Sequence, residues 1–150
     1  MDSTSLRPCR GAYEYPTLVG IWRSAVDATH DFLADADRDA IESALAAEYF
    51  PQVQLTVAEL GGVPVGFAGT NERNLEMLFV DAAVRGNGVG GLLLDNVLAV
   101  HGVRRVDVNE QNAQAVAFYR RRGFTVTGRD DYDDAGRPYP VLHMSWSAPH

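Results

Sequence analysis

Lysine is absent from this 150-residue chain, and its thirteen basic residues are all arginine. Without lysine there is no Schiff-base chemistry and no phosphate-gripping lysine of the P-loop type. Cysteine is almost as scarce: Cys9 is the sole example, which rules out an internal disulfide and a cysteine-ligated metal site. No pair of histidines has metal-ligand spacing, so no metal is expected. Positive charge is also short, with 13 basic against 20 acidic residues and a net charge of −7. That balance argues against a nucleic-acid partner, which needs a basic face, and suits a cationic substrate. No apolar run is long enough to cross a bilayer. The opening "MDSTSLRPCRG" lacks the apolar core of a signal peptide, and the expectation is a cytoplasmic protein without a membrane partner. Repeats, low-complexity tracts and linkers are missing as well, so one domain is expected over residues 1–150.

What is present reads as a mixed α/β order. "TSLRPC" (4–9) suits a short first strand. "PTLVGIWRSAV" (16–26) places Leu18, Ile21, Trp22, Ala25 and Val26 at helical spacing behind Pro16. After a loop over "DATHDFL" (27–33), "ADRDAIESALAAEYF" (36–50) reads as a second helix that Pro51 ends. "VQLTVAEL" and "VPVGFAGT" form a hairpin at Gly61-Gly62, followed by a strand "NLEMLFV" over 74–80. A helix from Val89 to His101 carries Val89, Leu92, Leu93, Val97 and Val100 on one stripe. "RRVDVN" (104–109) is the next strand. Asn112 caps the helix "AQAVAFYRRR", and Gly123 ends it. "FTVTG" and "YPVLHMSW" complete the set as strands.

"GNGVGG", residues 86–91, packs four glycines into six positions between a strand and a helix. It matches the G-x-G-x-x-G dinucleotide spacing, and Asp107 even lies about 20 residues on. In a dinucleotide turn, however, the first glycine follows the strand almost directly, whereas "DAAVR" separates Val80 from Gly86. The other spacing is Arg85-x-x-Gly88-x-Gly90, opening straight into the helix. It presents backbone N–H groups and a helix dipole to an anion, with a guanidinium beside them.

"VRGNGVGGLLL" resembles the R/Q-x-x-G-x-G/A motif of the GNAT acetyltransferases. "VNEQNAQAVAFYRRRGF" (108–124) resembles that superfamily's other core motif, an Asn opening a helix that carries a Tyr before Gly-Phe. The resemblance implies a single-domain GNAT fold of the α+β class. That fold is a mixed, mostly antiparallel sheet of six or seven strands with about four helices, splayed between strands 74–80 and 104–109. It implies acetyl-CoA as the acetyl donor, bound by Leu78, Phe79 and Val80 on the splayed strand. The glycine loop would contribute Arg85, Gly86, Asn87, Gly88, Val89, Gly90 and Gly91. Asn109, Asn112 and Tyr119 would complete the donor site.

Tyr119 is the expected general acid for the departing thiolate, and a main-chain N–H such as that of Val80 is the expected oxyanion donor. The amine must lose a proton. Glu76 and Asp107 are the two candidate bases, with water as a relay in the alternative. His30 and Asp31 lie in the region that family members use to wall the acceptor pocket, and His143 is a third candidate for substrate contact. Arg120, Arg121 and Arg122 end a helix and suit a solvated face, with the 3′-phosphate of CoA as the other reading. "DDYDD" (130–134) reads as a soluble loop that would attract an amine if it borders the acceptor entrance. The expected activity is transfer to a primary amine by direct attack in a ternary complex. The competing class is a non-catalytic acyl-CoA sensor. A small-molecule or peptide amine is the expected partner, and a homodimer is left open.

Overall fold

A computed structural model describes residues 4–29 and 33–147. Among these, seven strands form one sheet in the order β1-β2-β3-β4-β5-β7-β6. The strands are β1 (Thr4–Pro8), β2 (Gln54–Leu60), β3 (Val63–Asn71), β4 (Asn74–Val80), β5 (Arg105–Asn109), β6 (Phe124–Asp130) and β7 (Val141–Trp146). All neighbours are antiparallel except β4 and β5. The helices are α1 (Tyr15–Thr29), α2 (Asp35–Ala44), α3 (Val89–Ala99) and α4 (Ala113–Arg121).

The sheet is covered on both faces, so the middle strands are buried along nearly their whole length rather than alternately. α1 lies on one face, where Leu18, Ile21, Trp22 and Val26 pack with Leu55, Val57, Phe67 and Phe50. These are the positions that its helical spacing selects. α3 lies on the other face, where Val89, Leu93, Leu94 and Val97 join Ala68, Leu75, Val106 and Met144. β1 is tied down at its end by Arg7, whose guanidinium donates to both oxygens of Glu14 at 2.9 and 2.6 Å.

Four local expectations change. α1 continues through Thr29, so the first three residues of the loop expected over 27–33 are helical. The helix expected over 36–50 stops at Ala44 and widens into a π turn over Leu45–Tyr49. There the Phe50 N–H donates to the Leu45 carbonyl, a five-residue closure that brings both side chains into the core. Pro51 sits inside the 3-10 turn that follows. Tyr139 precedes β7 rather than joining it; it is buried, with its hydroxyl accepting from Ala34 N at 3.1 Å and donating to Asp37.

The fourth change concerns α3. Leu92 and Val100 are 44% and 67% exposed, and the buried stripe runs through Leu94 instead. Gly90 and Gly91 lie on the side of α3 that faces Phe118 and Arg122. A Cβ at Gly90 would lie 3.7 Å from Phe118, and one at Gly91 would collide with the Arg122 guanidinium. The stripe that packs on the sheet is Val89, Leu93, Leu94 and Val97, which leaves Leu92 outward.

Candidate active site

β4 and β5 pair only at Asn74–Arg105 and Leu75–Val106, although β4 runs on to Val80 and β5 to Asn109. Beyond Leu75 and Val106 the strands part, and a cleft of about 810 Å³ opens between them. The edge of β4 that faces the gap has no partner strand there, so its main-chain groups are available to an extended ligand. The sheet therefore contains the splay that the motifs imply.

β4 is also irregular on its other side. Met77 pairs with Gly69 and Leu75 with Thr70, leaving Glu76 as the extra residue of a β-bulge. A bulge re-aims a side chain that regular alternation would fix. Glu76 here lines the cleft together with Asp107. The cleft wall takes water from one side of its carboxyl, and Asp107 and Asp134 add like charge. Together these hold Glu76 above its ordinary proton affinity.

The floor of the cleft is the glycine loop. Asp81 accepts from Ala83 N at 2.9 Å and from the Ser24 hydroxyl at 3.1 Å, so α1 pins the loop's beginning. Gly86 and Gly88 have φ of +87° and +78°, where L side chains are strained. A Cβ at either would meet no protein atom within 4 Å, so both face open space rather than packing. Gly88 caps α3 without a side-chain hydrogen bond, which leaves the first N–H groups of an eleven-residue helix pointing at the cleft. Such a cradle fits a diphosphate. Arg85, beside it, donates to Gln114 across the cleft mouth.

α4 supplies the opposite wall. The Asn112 side chain accepts from Ala115 N at 3.2 Å, as expected of a cap. Asn109, Asn112 and Tyr119 all line the cleft. Tyr119 is 7% exposed, edge-on to Phe118 and Phe124, and its hydroxyl has no hydrogen-bond partner among the described residues. Burial raises its phenol well above the ordinary range, so it stays protonated.

The cleft thus brings together Glu76, Leu78, Phe79, Val80, Arg85 and Gly86 with Asp107 and Tyr119, along with Gly88, Val89, Gly90, Gly91, Asn109 and Asn112. Asn87 and His143 are not on its wall, and His30 and Asp31 lie outside the described residues. His143 is half-buried in β7, its side chain 37% exposed, with a carboxylate at each ring nitrogen. Arg121 and Arg122 line the cleft, and Arg122 pairs with Asp95 at 3.1 Å. Phe118 and Gln114 were missed by sequence reasoning, although both lie in the helix that carries Tyr119. Cys9 is not on the wall; its thiol donates to Gly11 O at 3.5 Å.

Residues 25–146 match the model of the acetyltransferase (GNAT) domain. The chain is 44% identical over 128 residues to the peptidyl-lysine N-acetyltransferase YjaB of Salmonella typhimurium, covering 85% of this chain and 88% of that protein. The solution structure of apo YjaB from Escherichia coli superposes with a TM-score of 0.88 at 40% identity, covering 98% of this chain and 99% of that one. The fold is shared more distantly with the acetyltransferase yncA of Salmonella typhimurium, solved with acetyl-CoA: TM-score 0.65, 21% identity, 94% and 91% covered.

Proposed function

The chain belongs to the GNAT acetyltransferase family, and on that premise we propose that its acceptor is the side-chain amine of a peptidyl lysine. It is an N-acetyltransferase that takes its acetyl group from acetyl-CoA; the sensor alternative has no support among relatives named as acetyltransferases. The observation that carries the reading is the partnerless stretch of β4. It runs from the glycine cradle to the bulged Glu76, with the Tyr119 hydroxyl in the same cleft. Acceptor class is supported by two things. The YjaB relatives are named for peptidyl lysine, and the carboxylates of Glu76, Asp107 and Asp134 make the acceptor end attractive to an ammonium group.

In this reading the first N–H groups of α3 and the Arg85 guanidinium hold the diphosphate, and the free edge of β4 over Leu78–Val80 holds the carrier arm. When bound, the donor supplies an acetyl thioester at the far end of that edge. Glu76 takes the proton from the amine, a task suited to a carboxylate of raised proton affinity. The neutral amine attacks the carbonyl carbon, and a main-chain N–H at that end of the β4 edge, rather than that of Val80 beside the cradle, meets the oxyanion. Tyr119 gives a proton or hydrogen bond to the sulfur as the carbon–sulfur bond breaks. Attack is direct, in a ternary complex, since Cys9 is off the cleft wall. No helix of the described residues is long and apolar enough to cross a membrane, and the proposed setting is cytoplasmic.

The test is incubation with acetyl-CoA and a library of lysine-containing peptides, read by mass spectrometry. Because the chain has no lysine, every acetyl-lysine formed belongs to the peptide. Acetylation of lysine peptides above matched arginine controls is expected. Turnover with free small amines alone would overturn the acceptor assignment.

A further inference from the structure

Asp107 has two neighbours of opposite kind. On one side it shares the cleft wall with Glu76, just past the last rung that joins β4 to β5. On the other, its Oδ1 lies 2.7 Å from His143 Nδ1, while His143 Nε2 lies 2.7 Å from Asp130 Oδ2. A neutral imidazole carries one N–H, whereas ionised carboxylates only accept. A ring bonded to two of them donates from both nitrogens and is therefore cationic.

The sheet is shaped around this arrangement. β5 and β7 set Asp107 directly opposite His143. On β6 a bulge at Thr127 brings Gly128 opposite His143, and the Thr127 hydroxyl donates to the His143 carbonyl at 3.2 Å. A Cβ at Gly128 would lie 3.3 Å from the imidazole Cδ2. The backbone of Gly128 is outside the left-handed region, so the glycine supplies room for the ring rather than conformational freedom. The ring then lies across β6 and reaches Asp130 at the strand's end.

We propose that His143 is a positioning residue of the acceptor end: clamped by Asp130, its cationic ring holds Asp107 to the sheet and offsets the negative charge that Asp107 presents to Glu76. The inference rests on Glu76 being the base. The charged groups acting on Glu76 are Asp107 from β5 and Asp134 from the segment between β6 and β7. Those facing His143 are Asp107 and, from the end of β6, Asp130. Both bonds favour the charged ring, Asp107 more than Asp130, and raise its proton affinity above the ordinary 6.5. Three carboxylates gather where a lysine ammonium must arrive. Left uncompensated, Asp107 would keep Glu76 protonated to higher pH and so withhold the base.

The test is the pH dependence of kcat/KM for wild type, His143→Gln and His143→Arg, with Asp130→Asn as a second route to releasing the clamp. The acid limb reports deprotonation of Glu76. Loss of the cation favours protonated Glu76, so His143→Gln moves the limb upward by about half a pH unit or more, and Asp130→Asn moves it the same way by less. His143→Arg keeps a cation and leaves the limb near its wild-type position. Coincident limbs in all four proteins, or equal shifts in the Gln and Arg variants, would overturn the proposal. Glu76→Gln separates the two ideas. If that variant keeps the limb, the base assignment fails and this inference falls with it. If it loses the limb while His143→Gln leaves it unmoved, only the role of His143 fails.

Discussion

Tyr119 and Glu76 share one cleft, and the protein raises the proton affinity of both, with opposite use. Burial keeps the phenol protonated, the state that the proposed acid role requires. The partly desolvated carboxylate becomes a better acceptor than an ordinary glutamate. Tyr119→Phe is expected to lower kcat by about 10- to 100-fold while calorimetry finds acetyl-CoA affinity little changed. An unchanged kcat would remove Tyr119 from the acid role. Glu76→Gln is expected to lower kcat/KM by roughly 100-fold or more. It should also raise Tm at neutral pH: a carboxyl whose folded proton affinity is raised favours the fold at low pH and loses that benefit as pH climbs through its folded value. A less active variant that is also less stable would count against the assignment. Tyr119 was legible from its motif, because its helix, cap and terminal glycine are contiguous. Glu76 was legible only as a candidate, since its aim depends on a bulge set by the register of β3. The surroundings of His143 were not legible, as Asp107 and Asp130 reach it from two other strands.

At the scale of elements, α3 shows where periodicity alone misleads. Its apolar residues are dense enough to support several stripes, and the choice between Leu92 and Leu94 is made by the sheet, on which Leu93, Leu94 and Val97 pack. Leu94→Ala is expected to cost about 2–5 kcal/mol in denaturant unfolding, and Leu92→Ala no more than about 0.5 kcal/mol. The reverse order would contradict this orientation of the helix. The loop before α3 makes a separate prediction. Gly88→Val sets a β-branched residue at φ +78° with its side chain in the open cradle, and should abolish CoA binding in calorimetry while far-UV circular dichroism stays native. Undiminished affinity would mean that the diphosphate sits elsewhere. α1 was legible because its five buried residues follow one clean spacing. The π turn after α2 was not, because it answers a tertiary demand to bury Leu45 beside Phe50.

For the whole molecule, the order of elements reads from the chain almost completely. The parting of β4 from β5 does not, since no residue pattern marks where two paired strands cease to pair. That parting came instead with the family resemblance, and the structure locates it after Leu75 and Val106. It joins the two helices that carry the motifs into one cleft, with the proposed diphosphate cradle and the proposed acid–base pair on its walls. Titration of ¹⁵N-labelled protein with acetyl-CoA, followed by amide chemical shifts, tests this account most directly. The account predicts saturable shifts concentrated at Leu78–Val80, Arg85–Gly91 and Asn109–Tyr119. An absence of shifts, or shifts gathered around Leu6, Thr56 and His101 in the small hollow between the β1–β2 edge and the end of α3, would contradict it.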